Sequence, residues 1–482
     1  QEIQERTAYN SFNYSPVFDE EHRIVGFPEM DDIDGSEINY SALGGTGKSV
    51  SKMSSFFANA SYSYLDKYIL TGALRYDGSD IIGNDNQFTP LWNVGLRWNL
   101  HREEFMKRWM WVDQFAVRGG FGYTGSIDKN ALPFVVMTLG QSVIYDGQTV
   151  PTSFSYPNPN VKWQTKQDMN VGLDLSLFDY RLELGVNYYN NITRDVLDRK
   201  ALPYSSGRSE VTENVADIYN SGWEIDLGVT LLKNKSFQWY AKANIAINDN
   251  KVKNTYYKDT KDLPKATLSN AHQFVENQPV NGWYGYKFAG INPINGAVMT
   301  YTGNGEATLD MSVSGATWPI PSVFYLGNLT PPVVGGFSTS ANWKQLIFSA
   351  NFEFKTGHKI KSFNTFRSLD ARNRHTSEAN RWREPGDITN VPAMSEAFTT
   401  YSSYMYDILL EKGNYLRCSY MTLGYNLKPE WLHKIGFSTA RLSFTAKDLF
   451  TVSSYSGIDP ALMGSFGYPN SRKYTITLNV GF

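Results

Sequence analysis

From Tyr474 to Phe482 every second residue is apolar: Tyr474, Ile476, Leu478, Val480 and Phe482 are separated by Thr475, Thr477, Asn479 and Gly481. A period of two puts the apolar set on one face of a β-strand and the polar set on the other. The pattern recurs along most of the chain. Phe56, Ala58, Ala60, Tyr62 and Tyr64 alternate with polar residues, Phe57 excepted, and Tyr68, Leu70, Gly72, Leu74 and Tyr76 follow after a short turn. Trp92 to Leu100, Phe115 to Tyr123, Met169 to Leu177 and Leu182 to Tyr188 repeat it. So do Trp223 to Leu231, Trp239 to Ile247, Phe337 to Trp343, Leu346 to Phe354, Met421 to Leu427 and Ala440 to Ala446. Thirteen strands are predicted, many near the ten residues of a tilted membrane-spanning strand.

The connections alternate as well. Short ones at residues 65–67, 178–180, 233–235 and 344–345, with links at about 101–113 and 428–436, interleave with long ones at roughly 125–164, 191–215, 249–332, 355–415 and 448–472. Transmembrane barrels have short periplasmic turns and long extracellular loops. The extended segment WYGYKFAGI, residues 283–291, belongs to a long outer loop, because a spanning strand there would move the turn at Lys344 to the outer side. Aromatic residues gather near the short-turn ends (Tyr64, Tyr68, Trp98, Phe178, Tyr180, Trp239, Trp343), where rings sit at a membrane interface. The reading is an all-β, transmembrane antiparallel barrel.

Parity extends the expectation. With short turns periplasmic, the strand at 55–64 runs downward and Phe482 also ends in the periplasm, so the count is odd, whereas an open edge cannot face lipid. Further strands are therefore expected upstream of Gln1. Residues 1–53 are expected to be an extracellular loop segment and residues 54–482 the C-terminal part of the barrel. Phe482, a terminal aromatic after alternating residues, is expected to serve as the outer-membrane assembly signal.

Composition removes other classes. A net charge of −2 gives no basic face for nucleic acid, and a single cysteine, Cys418, gives neither a disulfide framework nor a multi-cysteine metal site. The six histidines have no metal-ligand spacing, and no apolar run reaches the length of a membrane helix. Aromatic residues make up 15% of the chain. GFGYTG (Gly120, Gly122, Gly125) matches a dinucleotide-binding pattern, but no helix follows it and close strand packing explains it better. No nucleophile, base and orienting group stand together, so neither an enzyme nor a cofactor is expected.

Several collinear stretches carry a family resemblance: LRYDGSD (74–80), YPNPNVKWQTKQDMNVGLD (156–174), YNSGWEIDL (219–227), GNYLRCSYMTLGYNL (413–427) and KDLFTVSSYSGIDP (447–460). The chain from about residue 54 resembles the C-terminal barrel of SusC/RagA-type TonB-dependent transporters of Bacteroidetes. It departs at Lys447 and Asp448, where an Asn commonly precedes Leu-Phe. The resemblance implies a barrel of about 22 strands with a plugged lumen in the outer membrane. It also implies a SusD-like surface lipoprotein as lid, a plug and N-terminal strands from the rest of the transporter, and the TonB complex acting through that plug. The implied function is TonB-dependent import of an oligosaccharide or peptide. The alternative is a self-contained passive porin or autotransporter-type barrel.

Candidate ligand contacts are flat rings and planar guanidinium groups on the outer loops: Trp283, Tyr284, Trp318, Arg381, Trp382 and Arg383. The competing expectation is that these rings pack the loops together. Trp163, just above a strand, is expected to be structural. Asp31, Asp32, Asp34 and Glu37 form a weak calcium candidate without EF-hand spacing.

Overall fold

The structure, a computed structural model, describes residues 2–10, 17–18, 24–26, 44–80, 82, 87–127, 137–145, 148–154, 162–201, 205, 210–256, 258–260, 274–302, 304–310, 323–362, 379–393, 406–432, 436–462 and 467–482. In chain order its strands are β1 (Glu2–Asn10), β2 (Val17–Phe18), β3 (Ile24–Gly26), β4 (Gly44–Tyr64), β5 (Tyr68–Ser79), β6 (Phe88–Asn99), β7 (Val112–Ser126), β8 (Met137–Tyr145), β9 (Gln148–Phe154), β10 (Gln164–Leu177), β11 (Leu182–Ala201), β12 (Glu210–Lys233) and β13 (Phe237–Lys253). They continue with β14 (Gly282–Gly285), β15 (Phe288–Ile291), β16 (Val298–Tyr301), β17 (Ala307–Asp310), β18 (Phe324–Asn328), β19 (Val333–Trp343), β20 (Leu346–Thr356), β21 (Lys359–Lys361), β22 (Leu410–Lys412), β23 (Tyr415–Asn426), β24 (Thr439–Ser453) and β25 (Lys473–Gly481).

Fourteen of them form one antiparallel sheet, ordered β1-β4-β5-β6-β7-β10-β11-β12-β13-β19-β20-β23-β24-β25. From β4 onward these are the thirteen strands that alternation predicts, in the predicted order. The fourteenth, β1, pairs Glu2–Asn10 with Lys52–Gly44, past the point where Met53 meets Ser79 of β5. Part of the segment expected as a loop is therefore strand. The stretch 283–291 lies outside the main sheet, in β14 and β15, as expected. The sheet stays open, with β1 and β25 at its edges. No helix among the described residues is long and apolar enough to cross a membrane, which says nothing of strands.

Register carries the alternation across the whole sheet. One row runs Tyr68, Trp98, Val117, Leu173, Val186, Ile225, Ile245, Gly335, Phe354, Leu416 and Val452 from β5 to β24. The row one residue away runs Asn99, Ala116, Asp174, Gly185, Asp226, Asn244, Gly336, Glu353, Arg417 and Thr451. A slip of one residue at any ladder would mix the two rows, so the pairing is fixed by the faces.

Among the described residues no second layer covers the apolar face, and loop segments meet the polar face near the long-loop end. Leu227 is 37% exposed, Phe444 45% and Ile476 74% on the apolar side, far beyond what a soluble antiparallel sheet leaves open. Phe337 stacks on Phe352 at 4.6 Å, and Tyr188 tilts against Trp223 at 4.9 Å on that surface. An apolar wall of this extent requires lipid or protein against it.

Tight turns set the strand pairs. Leu65 and Asp66 both have φ of 53°, and the Lys67 N–H donates to Tyr64 O at 2.9 Å. Positive φ at both central residues twists the hairpin in the sense the strands need. The cost of two non-glycine residues there is offset in part by Asn99, whose Nδ2 donates to Asp66 O at 2.6 Å. At the β12–β13 turn Asn234 Oδ1 accepts from the N–H groups of Ser236 and Phe237 at 3.0 and 2.8 Å.

Candidate functional site

The polar face of the sheet is a wall of charges and amides. Asp174 accepts from Arg97 Nη1 at 2.8 Å and lies 3.5 Å from Arg118 Nε. Gly172 lets the Arg118 guanidinium lie flat on the sheet, since an added Cβ would stand 2.8 Å from its central carbon. Lys242 faces Asp226 at 4.0 Å. Half-exposed pairs of this kind contribute at most about 1 kcal/mol each, so they make the face polar rather than make the fold stable. Where β12, β13, β19 and β20 adjoin, a hollow of about 730 Å³ is lined by Asp226, Lys242, Asn244, Glu353 and Lys355 around the Gly335–Gly336 pair.

At the long-loop end Arg417 and Asp459 form a buried tie. Arg417 is 5% exposed and Asp459 8%; Nη2 and Oδ1 are 2.5 Å apart, and Arg417 Nε donates to Thr451 Oγ1 at 3.1 Å. The pair fastens the connection between β24 and β25 to the strand wall. Sequence reading missed it because the partners lie 42 residues apart in unrelated-looking segments.

The loops have a core of their own. Val275, Tyr284, Tyr286, Ile291, Val298, Val323, Tyr406 and Leu409 are buried together, with Phe288, Tyr325 and Trp382 packed against them. Tyr284, a predicted ligand contact, is 3% exposed at its centre and offers no face to a ligand. Burial raises its phenol well above the ordinary tyrosine range and pushes Tyr325 up to about 12. Both stay neutral, as packing residues.

Trp283 and Trp382 spend their ring N–H groups on loop backbone, at Lys359 O (2.8 Å) and Pro293 O (3.1 Å). Trp382 also covers Gly296, where an added Cβ would lie 2.4 Å from its ring. Arg381 and Arg383 line an open hollow with Asp387 and Asn390. Arg383 Nη2 is held by Ala379 O at 3.0 Å. The structure thus brings Trp382 to the tyrosine core and leaves the two arginines at a rim. Trp318, Asp31, Asp32, Asp34 and Glu37 lie outside the described residues.

Other sequence expectations find their places. Trp163 is 5% exposed, packs with Ile82 and donates to Gln87 O at 3.1 Å, a structural role. Gly122 of GFGYTG sits so close to β6 that a Cβ would meet Trp92 O at 2.5 Å, which is strand packing and no phosphate loop. Phe482 packs its ring 5.0 Å from Phe437. His358 is buried at the end of β20, and burial, then Lys355, lowers its pKa. Cys418 is buried in β23, and its Sγ donates to Tyr420 O at 3.8 Å. Among the described residues no group of three His, Cys, Asp or Glu could hold a metal.

Comparison with known proteins gives this architecture a family. Residues 3–353 match the family described as TonB dependent receptor-like, beta-barrel. TonB-dependent receptor P3 of Formosa agariphila is 29% identical over 465 residues, covering 89% of this chain and 45% of the relative. TonB-dependent receptor SusC of Bacteroides thetaiotaomicron is 23% identical, covering 89% and 43%. Among solved structures, the RagAB peptide importer in its open-open state superposes with a TM-score of 0.75 at 25% identity, covering 93% of this chain and 49% of that one. The chain spans about half the length of the curated relatives it matches. With its sheet order, its two-faced wall and a family match over most of its length, the chain belongs to the TonB-dependent receptor-like β-barrel family.

Proposed function

We propose that residues 54–482 form the C-terminal part of the wall of a SusC-like importer in the outer membrane of a Gram-negative bacterium, with residues 1–53 on the extracellular side. The observation that carries the reading is an open sheet with one polar face and one apolar face, the apolar one uncovered among the described residues. Unpaired strand edges are too costly in hydrocarbon, so β25 and the first spanning strand, β4, require strands from the rest of the transporter. That remainder supplies the plug through which the TonB complex acts, and a SusD-like lipoprotein closes the long-loop end. The chain itself does no chemistry. It provides lipid-facing wall, polar lumen and loop rim, and the cargo is an oligosaccharide or a peptide.

The test is growth of the native bacterium on single nutrients with the whole transporter deleted, and with TonB disabled. Loss of growth on the same nutrient in both strains is the expected result. Uptake that needs the transporter but persists without TonB would replace the reading with a passive porin.

A further inference from the structure

Near the loops, the polar faces of β12 and β13 and two loop segments enclose a cavity of about 520 Å³, within the range of small-molecule sites. Register sets Asn220 opposite Asn250 and Gly222 opposite Asn248, so these three amides share the polar face. Asn277, Asn281, Asn328 and Tyr325 close the cavity from the loops. Gly222 is needed there: an added Cβ would lie 2.5 Å from the Tyr189 hydroxyl that reaches Asn248.

Partners that can only donate, a backbone N–H and an ammonium, fix three of the amides, Asn250, Asn220 and Asn277. The Val280 N–H donates to Asn250 Oδ1 at 2.7 Å, so Asn250 Nδ2 donates to Asn220 Oδ1, at 2.6 Å. Lys253 Nζ donates to Asn277 Oδ1. The hydroxyls of Tyr189 and Tyr325 hydrogen-bond the amides of Asn248 and Asn328. Asn220 and Asn277 thus keep their Nδ2 donors uncommitted among the described residues, and Asn248 and Asn328, whose phenol partners can donate or accept, each keep one amide atom uncommitted. Asn281 spends one amide atom on Thr330 Oγ1, at 3.1 Å, and keeps the other.

The lining selects a chemistry. Its two charged lining residues, Asp249 and Lys251, neutralise each other at 2.6 Å, and the neighbouring Lys253 is taken up by Asn277, so amides rather than charges dominate the lining. The backbone is also spent: the Asn248 N–H goes to Pro332 O, and the Leu329 N–H goes to Asn281 O. An extended peptide therefore finds no strand edge to join. A hydroxyl both accepts and donates at one oxygen, which suits two amide donors, Asn220 and Asn277, beside three amides that can present either atom.

We propose that this amide-lined cavity is a subsite for an uncharged oligosaccharide, held through its hydroxyl groups; the proposal rests on the import reading above. The test is calorimetric titration of the intact transporter, with its partner, using maltohexaose, cellohexaose, xylohexaose and mannohexaose, and terminally blocked uncharged hexapeptides. The variants are Asn248→Ala with Asn328→Ala, and separately Asn277→Ala, an exposed position that leaves the wall intact. Binding of at least one hexasaccharide, weakened tenfold or more in the double variant and measurably in the single one, is expected. Unchanged affinity in both variants, no hexasaccharide binding, or peptide binding that the variants abolish would overturn the proposal. TonB-dependent uptake is scored in parallel: if it persists while the variants are silent, the subsite fails and the import reading stands.

Discussion

Leu227 and Asn244 are close in space and opposite in facing, which makes them a sharp test of the wall. Leu227 lies six residues above Lys233, the last residue of β12. At about 3.3 Å per residue and a tilt of about 40°, that places it roughly 15 Å above the short-turn rim, near the middle of an apolar band about 25 Å tall. It pairs with Leu184 and Ala243, both on the apolar face. An arginine there has no polar neighbour, so Leu227→Arg should cost about 2–4 kcal/mol, a roughly 30- to 700-fold loss in the folding equilibrium. Asn244 pairs with Asp226 on the polar face. Asn244→Arg gains that carboxylate and should cost less than about 1 kcal/mol. Denaturant titration of the transporter in phospholipid vesicles, read by heat-modifiable mobility, measures both. Equal destabilisation of the two variants would refute the assignment of faces.

Three further outcomes follow from particular contacts. Asp459→Asn should expose the β24–β25 connection to protease while β23 and β24 stay protected, because losing one partner of a buried pair costs about 3–5 kcal/mol locally; unchanged cleavage would remove the tie. Removal of Phe482, whose ring rests on Phe437, should lower the amount of folded barrel reaching the outer membrane, checked by surface labelling. Glu103 accepts from Tyr68, Lys67 and Trp98, and these bonds hold its pKa below the ordinary glutamate range. A depressed acid stabilises above its unfolded pKa and loses that stabilisation as pH falls through its folded pKa. Glu103→Gln should therefore weaken the short-turn end at neutral pH, with the difference from wild type closing in acid below about pH 4.

The spanning strands were legible because each must put apolar side chains on one face along its full length, and that constraint writes period two into the sequence. β1 was not legible. Its sequence EIQERTAYN carries no run of alternating apolar residues, and it pairs with the glycine-rich start of β4. The outer reaches of β11 and β12 were missed for the same reason: Asp198, Arg199 and Lys200 pair there with Glu213, Thr212 and Val211. Loop rings were harder still. Tyr284 and Trp382 look alike in sequence as ligand platforms, and only three-dimensional packing makes one the centre of a core and the other its cover. The amide cavity is spread from Asn220 to Asn328 and has no local signature.

The most direct measurement is spin-label accessibility in the intact transporter in lipid. Labels at positions 173, 227 and 444 replace the apolar residues Leu173, Leu227 and Phe444, and labels at 174, 226 and 443 replace Asp174, Asp226 and Ser443 on the other face. The first set should respond to dissolved oxygen and ignore a water-soluble nickel chelate, and the second set should show the opposite or neither. Adjacent positions such as 226 and 227 that respond alike would contradict a membrane wall with one face to lipid and one to a lumen.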